Sequence, residues 1–164
     1  MKSLLIAAIF AVCLPLAANA KTYPIPSDDP IATVTLPDSW DVTETDDGIE
    51  ATSKDELVTI SIEAGDLIDV KAATAEALQG FADDGVTIDA TTQKQTDFEI
   101  NGMKGFEIGF KGKDEDGPTN VSVSIVVVSE KKVLNLTYQA SDAGEKNNAE
   151  ALGQILHSIQ ATKK

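Results

Sequence analysis

Apolar and polar residues alternate through a series of short segments, and this two-residue period restricts the fold more than any other feature. Val58, Ile60 and Ile62, for example, are separated by single polar residues. Such alternation indicates strands with one apolar face, and a two-residue turn such as Asn101-Gly102 joins its flanking strands into an antiparallel hairpin. The alternating segments are 33–36, 49–53, 58–63, 86–88, 98–100, 106–111 and 134–139, and a more uniformly apolar strand covers 121–128.

Two other segments place apolar residues three to four positions apart, which is typical of a helix. The first begins at Val70 and ends near Gly85, and the second extends from about Ala143 to Ala161. Residues 23–30 contain three prolines and predict an extended segment before the first strand. The order of elements predicts an α+β fold, in which a mainly antiparallel sheet packs with two main helices.

The first twenty residues have the three parts of a secretory signal peptide. A positively charged start precedes an apolar run over residues 4–16, and Ala18 and Ala20 occupy the small-residue positions that a signal peptidase recognises. This run is shorter than a membrane-spanning helix requires. We therefore expect residues 1–20 to be removed, and residues 21–164 to form a single domain that is periplasmic or secreted and has no membrane span.

Cys13 is the one cysteine of the chain and would be lost with this leader. Lipid modification of Cys13 is the alternative, but Val12 stands directly before it, where a lipoprotein signal has a small residue. We therefore interpret Cys13 as an apolar residue of the leader. A mature chain without cysteine favours a bacterial periplasm, because exported animal proteins usually carry disulfides.

Acidic residues outnumber basic ones two to one. The chain has 27 Asp and Glu against 13 Lys, no arginine, and a net charge of −14, and loss of Lys2 with the leader changes this charge to −15. A protein so acidic is repelled by nucleic acid and by anionic membranes, and arginine is the usual clamp for phosphate. The charge permits a cationic partner or a divalent cation instead.

Sequence motifs for catalysis are missing: the chain contains no nucleophile elbow, phosphate-binding loop or paired metal ligands. His157 is the only histidine, and helical geometry turns it away from the apolar side of the last helix towards solvent. Acidic turns at 44–48 and 114–117 have the spacing of hairpin turns and are too short for a calcium loop. We expect no catalytic residue, metal ion or cofactor.

The polar sides of the strands form the candidate binding surface. In a folded sheet they would present hydrogen-bond donors and acceptors on a rigid platform, either solvated or partly covered by a helix that leaves a cleft. The candidate ligand- or partner-binding residues are Thr59, Ser61, Asn135, Thr137 and Gln139, and Glu63 and Glu107 are expected on the same side.

Three segments carry a resemblance to a known family. They are Leu36-Pro37-Asp38-Ser39-Trp40, the hairpin Asn101-Gly102-Met103-Lys104-Gly105-Phe106, and the strand from Leu134 to Ser141 with the helix after it. Their order resembles the PsbP-like superfamily and, within it, the small bacterial exported proteins similar to DcrB. The resemblance implies an antiparallel sheet packed with helices. Members range from a nuclear transport factor to a photosystem II subunit, so the resemblance implies no catalytic residue.

The sequence thus predicts a non-enzymatic exported domain that binds an unknown protein or a small ligand. One alternative is a hydrolase or other enzyme with a carboxylate-based site, which convergent acids with shifted pKa values would favour. Another is an accessory subunit that binds a divalent cation, which a calcium-dependent rise in melting temperature would favour.

Overall fold

The computed structural model describes residues 19–67 and 70–162. Two antiparallel sheets and two helices make up this part of the chain. The strands are β1 (Ala20–Ile25), β2 (Ala32–Pro37), β3 (Asp41–Glu44), β4 (Gly48–Thr52), β5 (Val58–Asp66), β6 (Thr87–Ile100), β7 (Met103–Lys113), β8 (Pro118–Val127), β9 (Lys132–Ala140) and β10 (Gln160–Ala161). The helices are α1 (Val70–Asp83) and α2 (Asp142–Ser158). Residues 1–18 of the predicted leader lie outside the described residues.

The larger sheet has seven strands in the order β3-β4-β5-β9-β8-β7-β6, and the smaller has the order β1-β2-β10. Neighbouring strands are antiparallel in both sheets. This arrangement confirms the predicted α+β class with a mainly antiparallel sheet and two main helices. The uniformly apolar segment is the interior strand β8, as predicted for a strand with neighbours on both sides.

The apolar side of the larger sheet changes face between β9 and β8. Ile62 pairs with Leu136, so the apolar residues of β5 and β9 point to the same side. Leu136 in turn pairs with Ser124 on β8, which leaves Val123 and Ile125 of that strand on the opposite side. We call the side that bears Leu136 and Ser124 the α2 face, and the side that bears Val123 the α1 face.

Each helix covers the apolar part of one face. On the α2 face, Ile155 and Ile159 pack together with the smaller sheet over the buried residues of β4, β5 and β9. On the α1 face, Phe81 packs against Phe110 and Val121 in a second, smaller core. Among the described residues, no helix is both long enough and apolar enough to cross a membrane.

The boundaries of α2 have local causes. The Ser141 hydroxyl accepts a hydrogen bond from the Gly144 N–H at 3.1 Å, and Asp142 stands in the first turn, where a negative charge stabilises a helix. The helix ends at Ser158, before the predicted end at Ala161, because Ile159 is extended and the next two residues pair with β2 as β10.

The proline-rich lead-in is also paired. Tyr23 lies opposite Val34, so residues 23–25 of this segment form the end of β1 at the edge of the smaller sheet, where a strand tolerates proline. The extended conformation was predicted for all of residues 23–30, but the chain bends over residues 26–29, and the partner strand was not predicted.

Candidate functional site

The residues predicted to bind a ligand or partner come together on the α1 face. Thr59 pairs with Gln139, Ser61 with Thr137, and Glu63 with Asn135, and all six side chains are partly buried. Helix α1 contacts the neighbouring β8 and β6, so this polar surface lies beside the helix. We call the six residues the polar strip.

Glu107 lies on the α2 face, and the prediction that it shares a side with the polar strip was wrong. Its cross-strand partner is Ser124, which pairs with Leu136. Alternation along a strand determines which of its own residues share a face, but the alignment of those faces with a neighbouring strand depends on register.

The polar strip contains two groups in unfavourable surroundings. Burial and the charge of Asp47 raise the pKa of Glu63, although a hydrogen bond from Ser61 partly offsets the rise. The Oδ1 atom of Asn135 is buried and has no hydrogen-bond partner within the described residues. The strip therefore contains a hydrogen-bond acceptor without a donor, and shielding such a group from water lowers the stability of the folded protein.

An acidic cleft of about 380 Å³ lies at one end of the strip, with Thr59 and Gln139 in its lining. Gln139 Nε2 donates to Asp114 Oδ2 at 3.0 Å. Asp114 Oδ1 accepts from the backbone N–H groups of Asp116 and Gly117, which are the contacts of a hairpin turn. In the described ranges, no cluster of three or more Asp, Glu, His or Cys side chains is arranged to hold a metal ion.

A second and more apolar cleft, which sequence reasoning missed, runs along the α2 face between α2 and strands β5 to β9. Two adjoining cavities of about 280 and 240 Å³ share Glu107, Ser124, Leu136 and Leu156 in their walls. We call these two cavities together the α2 groove. Its other apolar lining residues are Ile60, Ile62, Phe98, Ile100, Leu152 and Ile155.

Glu107 is the polar centre of this groove. Its Oε2 accepts hydrogen bonds from Ser122 Oγ at 3.3 Å and Ser124 Oγ at 3.5 Å, both long for such contacts. The salt bridges found in the described part of the chain are Lys21–Glu44, Lys111–Asp142 and Lys132–Asp66, so Glu107 has no cationic partner there.

A third cavity of about 410 Å³ continues beyond Glu107 and contains Tyr138 and Glu145. Burial, followed by the charge of Glu145 and the hydrogen bond that the phenol donates to it, raises the pKa of Tyr138. Tyr138 is therefore a neutral hydrogen-bond donor that is already engaged, rather than a proton donor or acceptor for chemistry near neutral pH.

The β6–β7 hairpin closes the other end of the α2 groove. Asn101 Nδ2 donates to the backbone oxygens of His157 at 2.9 Å and Ile159 at 2.7 Å. Asn101 and Gly102 have φ angles of 49° and 83°, as a two-residue hairpin turn requires. The His157 side chain is exposed, as predicted, and lies at the groove mouth with Nδ1 2.6 Å from the Gly153 oxygen.

Carboxyl groups with shifted pKa values lie on separate elements. Ser53 and Asn148 donate to Asp55 in the β4–β5 turn and lower its pKa to about 2. Hydrogen bonds from Thr91 lower the pKa of Asp89 on β6, and Glu63, whose pKa is raised, lies on β5. These three groups do not share one site, so they give no support to the carboxylate-enzyme alternative.

No protein-family model matches the sequence, and no curated protein matches it. Solved structures do match the fold. Cyanobacterial PsbP from Synechocystis sp. PCC 6803 superposes with a TM-score of 0.58 at 10% sequence identity, over 93% of this chain and 99% of its own. LpqN from Mycobacterium tuberculosis, described as involved in cell envelope biogenesis, superposes with a TM-score of 0.57 at 16% identity, over 88% of this chain and 92% of its own.

At such low identity these likenesses concern the fold alone. Both structures match this chain over most of its length and most of theirs. The narrower resemblance to DcrB-like proteins stays a prediction. The sequence of strands and helices, its pairing, and these superpositions together establish that the chain has a PsbP-like fold.

Proposed function

We propose that this chain is an exported, non-enzymatic binding domain that takes the apolar part of a ligand into the α2 groove. One observation carries the proposal: the groove is concave, mainly apolar and open, with a small number of polar groups at its centre. Leu156 at its rim is 41% exposed although it belongs to the helix that covers this face. Concave apolar surfaces with a few convergent polar groups are the usual form of ligand sites.

The leader-like first twenty residues and the absence of cysteine from residues 21–164 support export to a periplasm. The matching LpqN structure, described as involved in cell envelope biogenesis, supports an accessory role in the cell envelope. The separation of the carboxyls with shifted pKa values supports binding over catalysis. Residues 21–164 would then act as one domain.

The polar strip is a second candidate surface, favoured by the unpartnered Oδ1 of Asn135. It suits a polar protein partner better than a small ligand, because its residues form a flat strand pair rather than a cavity. The two surfaces lie on opposite faces of the sheet, so one experiment distinguishes them.

The test is a titration of ¹⁵N-labelled residues 21–164 with n-octanol, a neutral apolar probe, followed by NMR. We expect chemical-shift changes around Leu136 and Leu156, with little change at Thr59 or Asn135, which do not line the groove. Leu156→Ser should weaken binding severalfold, because it removes an apolar wall from both cavities.

Leu57→Ser is the matched control, because Leu57 is 38% exposed and lies outside the groove. It should leave octanol binding unchanged. Shift changes confined to the polar strip, or equal weakening by the two leucine variants, would contradict the proposed site.

A further inference from the structure

Resting on the proposed function, we propose that the ligand of the α2 groove is an amphiphilic amine, with its apolar chain in the groove and its ammonium group on the Glu107 carboxylate. The groove carries negative charge in addition to its apolar lining. The charged side chains that line its two cavities are Glu99 and Glu107, and no lysine of the described chain lines either cavity.

The lysines nearest to Glu107, Lys94 and Lys111, line the third cavity, which Glu107 also lines, and not the groove. Lys111 lies 3.9 Å from Asp142 in a salt bridge, and Lys94, the cross-strand neighbour of Gly109, forms no salt bridge with Glu107. A cationic group of the ligand could thus contact the Glu107 carboxylate without displacing a salt bridge of the protein.

The hydrogen-bonding groups around Glu107 also fit an ammonium group. A carboxylate has about four lone-pair positions, and Glu107 has only two long contacts from serine hydroxyls. An ammonium group brings three donors and no acceptor, and the serine oxygens that donate to Glu107 keep lone pairs able to accept from it. Charge-assisted hydrogen bonds of this kind are shorter and stronger than neutral ones.

Other classes of ligand fit this site less well. A carboxylate or phosphate in the groove would lie beside Glu107, and no lysine lines the groove to neutralise either charge. An unpaired charge in apolar surroundings is costly. A sugar would leave many hydroxyl groups against apolar walls formed by residues such as Phe98, Leu136 and Leu156. An apolar chain with one cationic end matches both parts of the groove.

The test compares three probes of equal chain length: n-octylamine, n-octanol and octanoate, each titrated into residues 21–164 at neutral pH with calorimetric and NMR detection. We expect the amine to bind about tenfold more tightly than the alcohol, from one charge-assisted contact, and octanoate to bind most weakly. Glu107→Gln should remove this preference, so that the amine binds no more tightly than octanol to the variant.

Glu50→Gln is the matched control, because Glu50 is exposed and pairs with Ser61 on the opposite face. It removes the same charge and should keep the preference for the amine. Amine binding no tighter than octanol binding, or a preference that survives Glu107→Gln, would overturn the inference while leaving the binding groove intact. Failure of all three probes to bind would instead overturn the proposed function and this inference together.

Discussion

Ser124 on β8 pairs with Leu136 on β9, so a hydroxyl group and an apolar side chain lie side by side on the α2 face. This pairing gives the larger sheet two apolar surfaces on opposite sides, one under each helix. It also places the polar residues of β7 and β8 next to the apolar residues of β9. The α2 groove lies over this boundary, and its mixture of apolar walls and a central carboxylate follows from it.

The first prediction compares neighbouring residues of β9. Leu136 is 8% exposed in the main core, whereas Thr137 belongs to the partly buried polar strip. Leu136→Ala should lower the free energy of unfolding by about 2–5 kcal/mol, and Thr137→Ala by about 0.5 kcal/mol. Urea unfolding followed by circular dichroism measures both. Equal midpoint shifts would show that the register of β9 is wrong.

The second prediction concerns Asn101, which connects the β6–β7 hairpin to the end of α2. Asn101→Gly loses both hydrogen bonds from the side chain but keeps a backbone suited to positive φ. Asn101→Ala loses the bonds and also strains the turn, so it should be less stable than the glycine variant by about 1 kcal/mol. Thermal unfolding gives the ranking, and identical behaviour of both variants and the parent protein would rule out the contact.

The third prediction uses the raised pKa of Glu63. Because the folded protein binds this proton more tightly than the unfolded chain, stability falls as pH rises through the interval above the ordinary value of 4.5. Glu63→Gln should therefore stabilise the protein at pH 7 by less than about 1 kcal/mol, since solvent screens a half-exposed group. The gain should vanish in acid, where Glu63 is protonated in both states.

Urea midpoints measured across this pH range provide the test for Glu63. Glu99→Gln on the exposed edge strand β6 is the control and should give little change at any pH. A Glu63→Gln gain that persists unchanged in acid would show that charge is not its cause.

The fourth prediction concerns Asp55, whose hydrogen bonds from Ser53 and Asn148 connect the β4–β5 turn to α2. These bonds lower its pKa to about 2, so their contribution to stability is present above the ordinary value of 3.8 and is lost as pH falls towards 2. Asp55→Asn should destabilise the protein at pH 7 by about 1 kcal/mol or less, because Asp55 is exposed.

The difference between Asp55→Asn and the parent protein should narrow steadily on acidification below the ordinary pKa of Asp55. Acid unfolding at fixed urea concentration detects this narrowing. The exposed turn variant Asp38→Asn serves as the control. A free-energy difference between Asp55→Asn and the parent protein that stays constant down to pH 2 would show that the hydrogen bonds to the ionised Asp55 carboxylate are not its cause.

Local structure was largely predictable from the sequence. Alternation identified β5 and β9, the Asn101-Gly102 pair identified its hairpin, and the helical spacing from Val70 identified α1. Each of these elements depends on residues close together in the chain. Side chains alternate between the two faces of a strand and repeat about every 3.6 residues around a helix, so the pattern of apolar residues indicates the type of element. The polar strip was predictable for the same reason, because all its residues alternate with buried residues of β5 and β9.

The α2 groove was not predictable, because it depends on contacts between distant segments. Placing Glu107 correctly requires the register of β7 with β8 and of β8 with β9. The strand β10 likewise exists only because Gln160 and Ala161 meet β2 after the chain has folded. Two residues are too few for a periodic pattern, and tertiary pairing determined their conformation.

The short turn at residues 128–131 sets the alignment of β8 with β9, and the Val128 and Ser129 N–H groups both donate to the Lys132 oxygen. One extra residue in this turn would move the side chains of β6, β7 and β8 to the other face. Val121, Val123 and Phe110 would then leave the α1 face, and Phe81 of α1 would lose the apolar side chains that it packs against. A glycine inserted after Glu130 should accordingly abolish protection of the α1 amides in hydrogen exchange. The length of one turn thus determines whether the second core, under α1, can form.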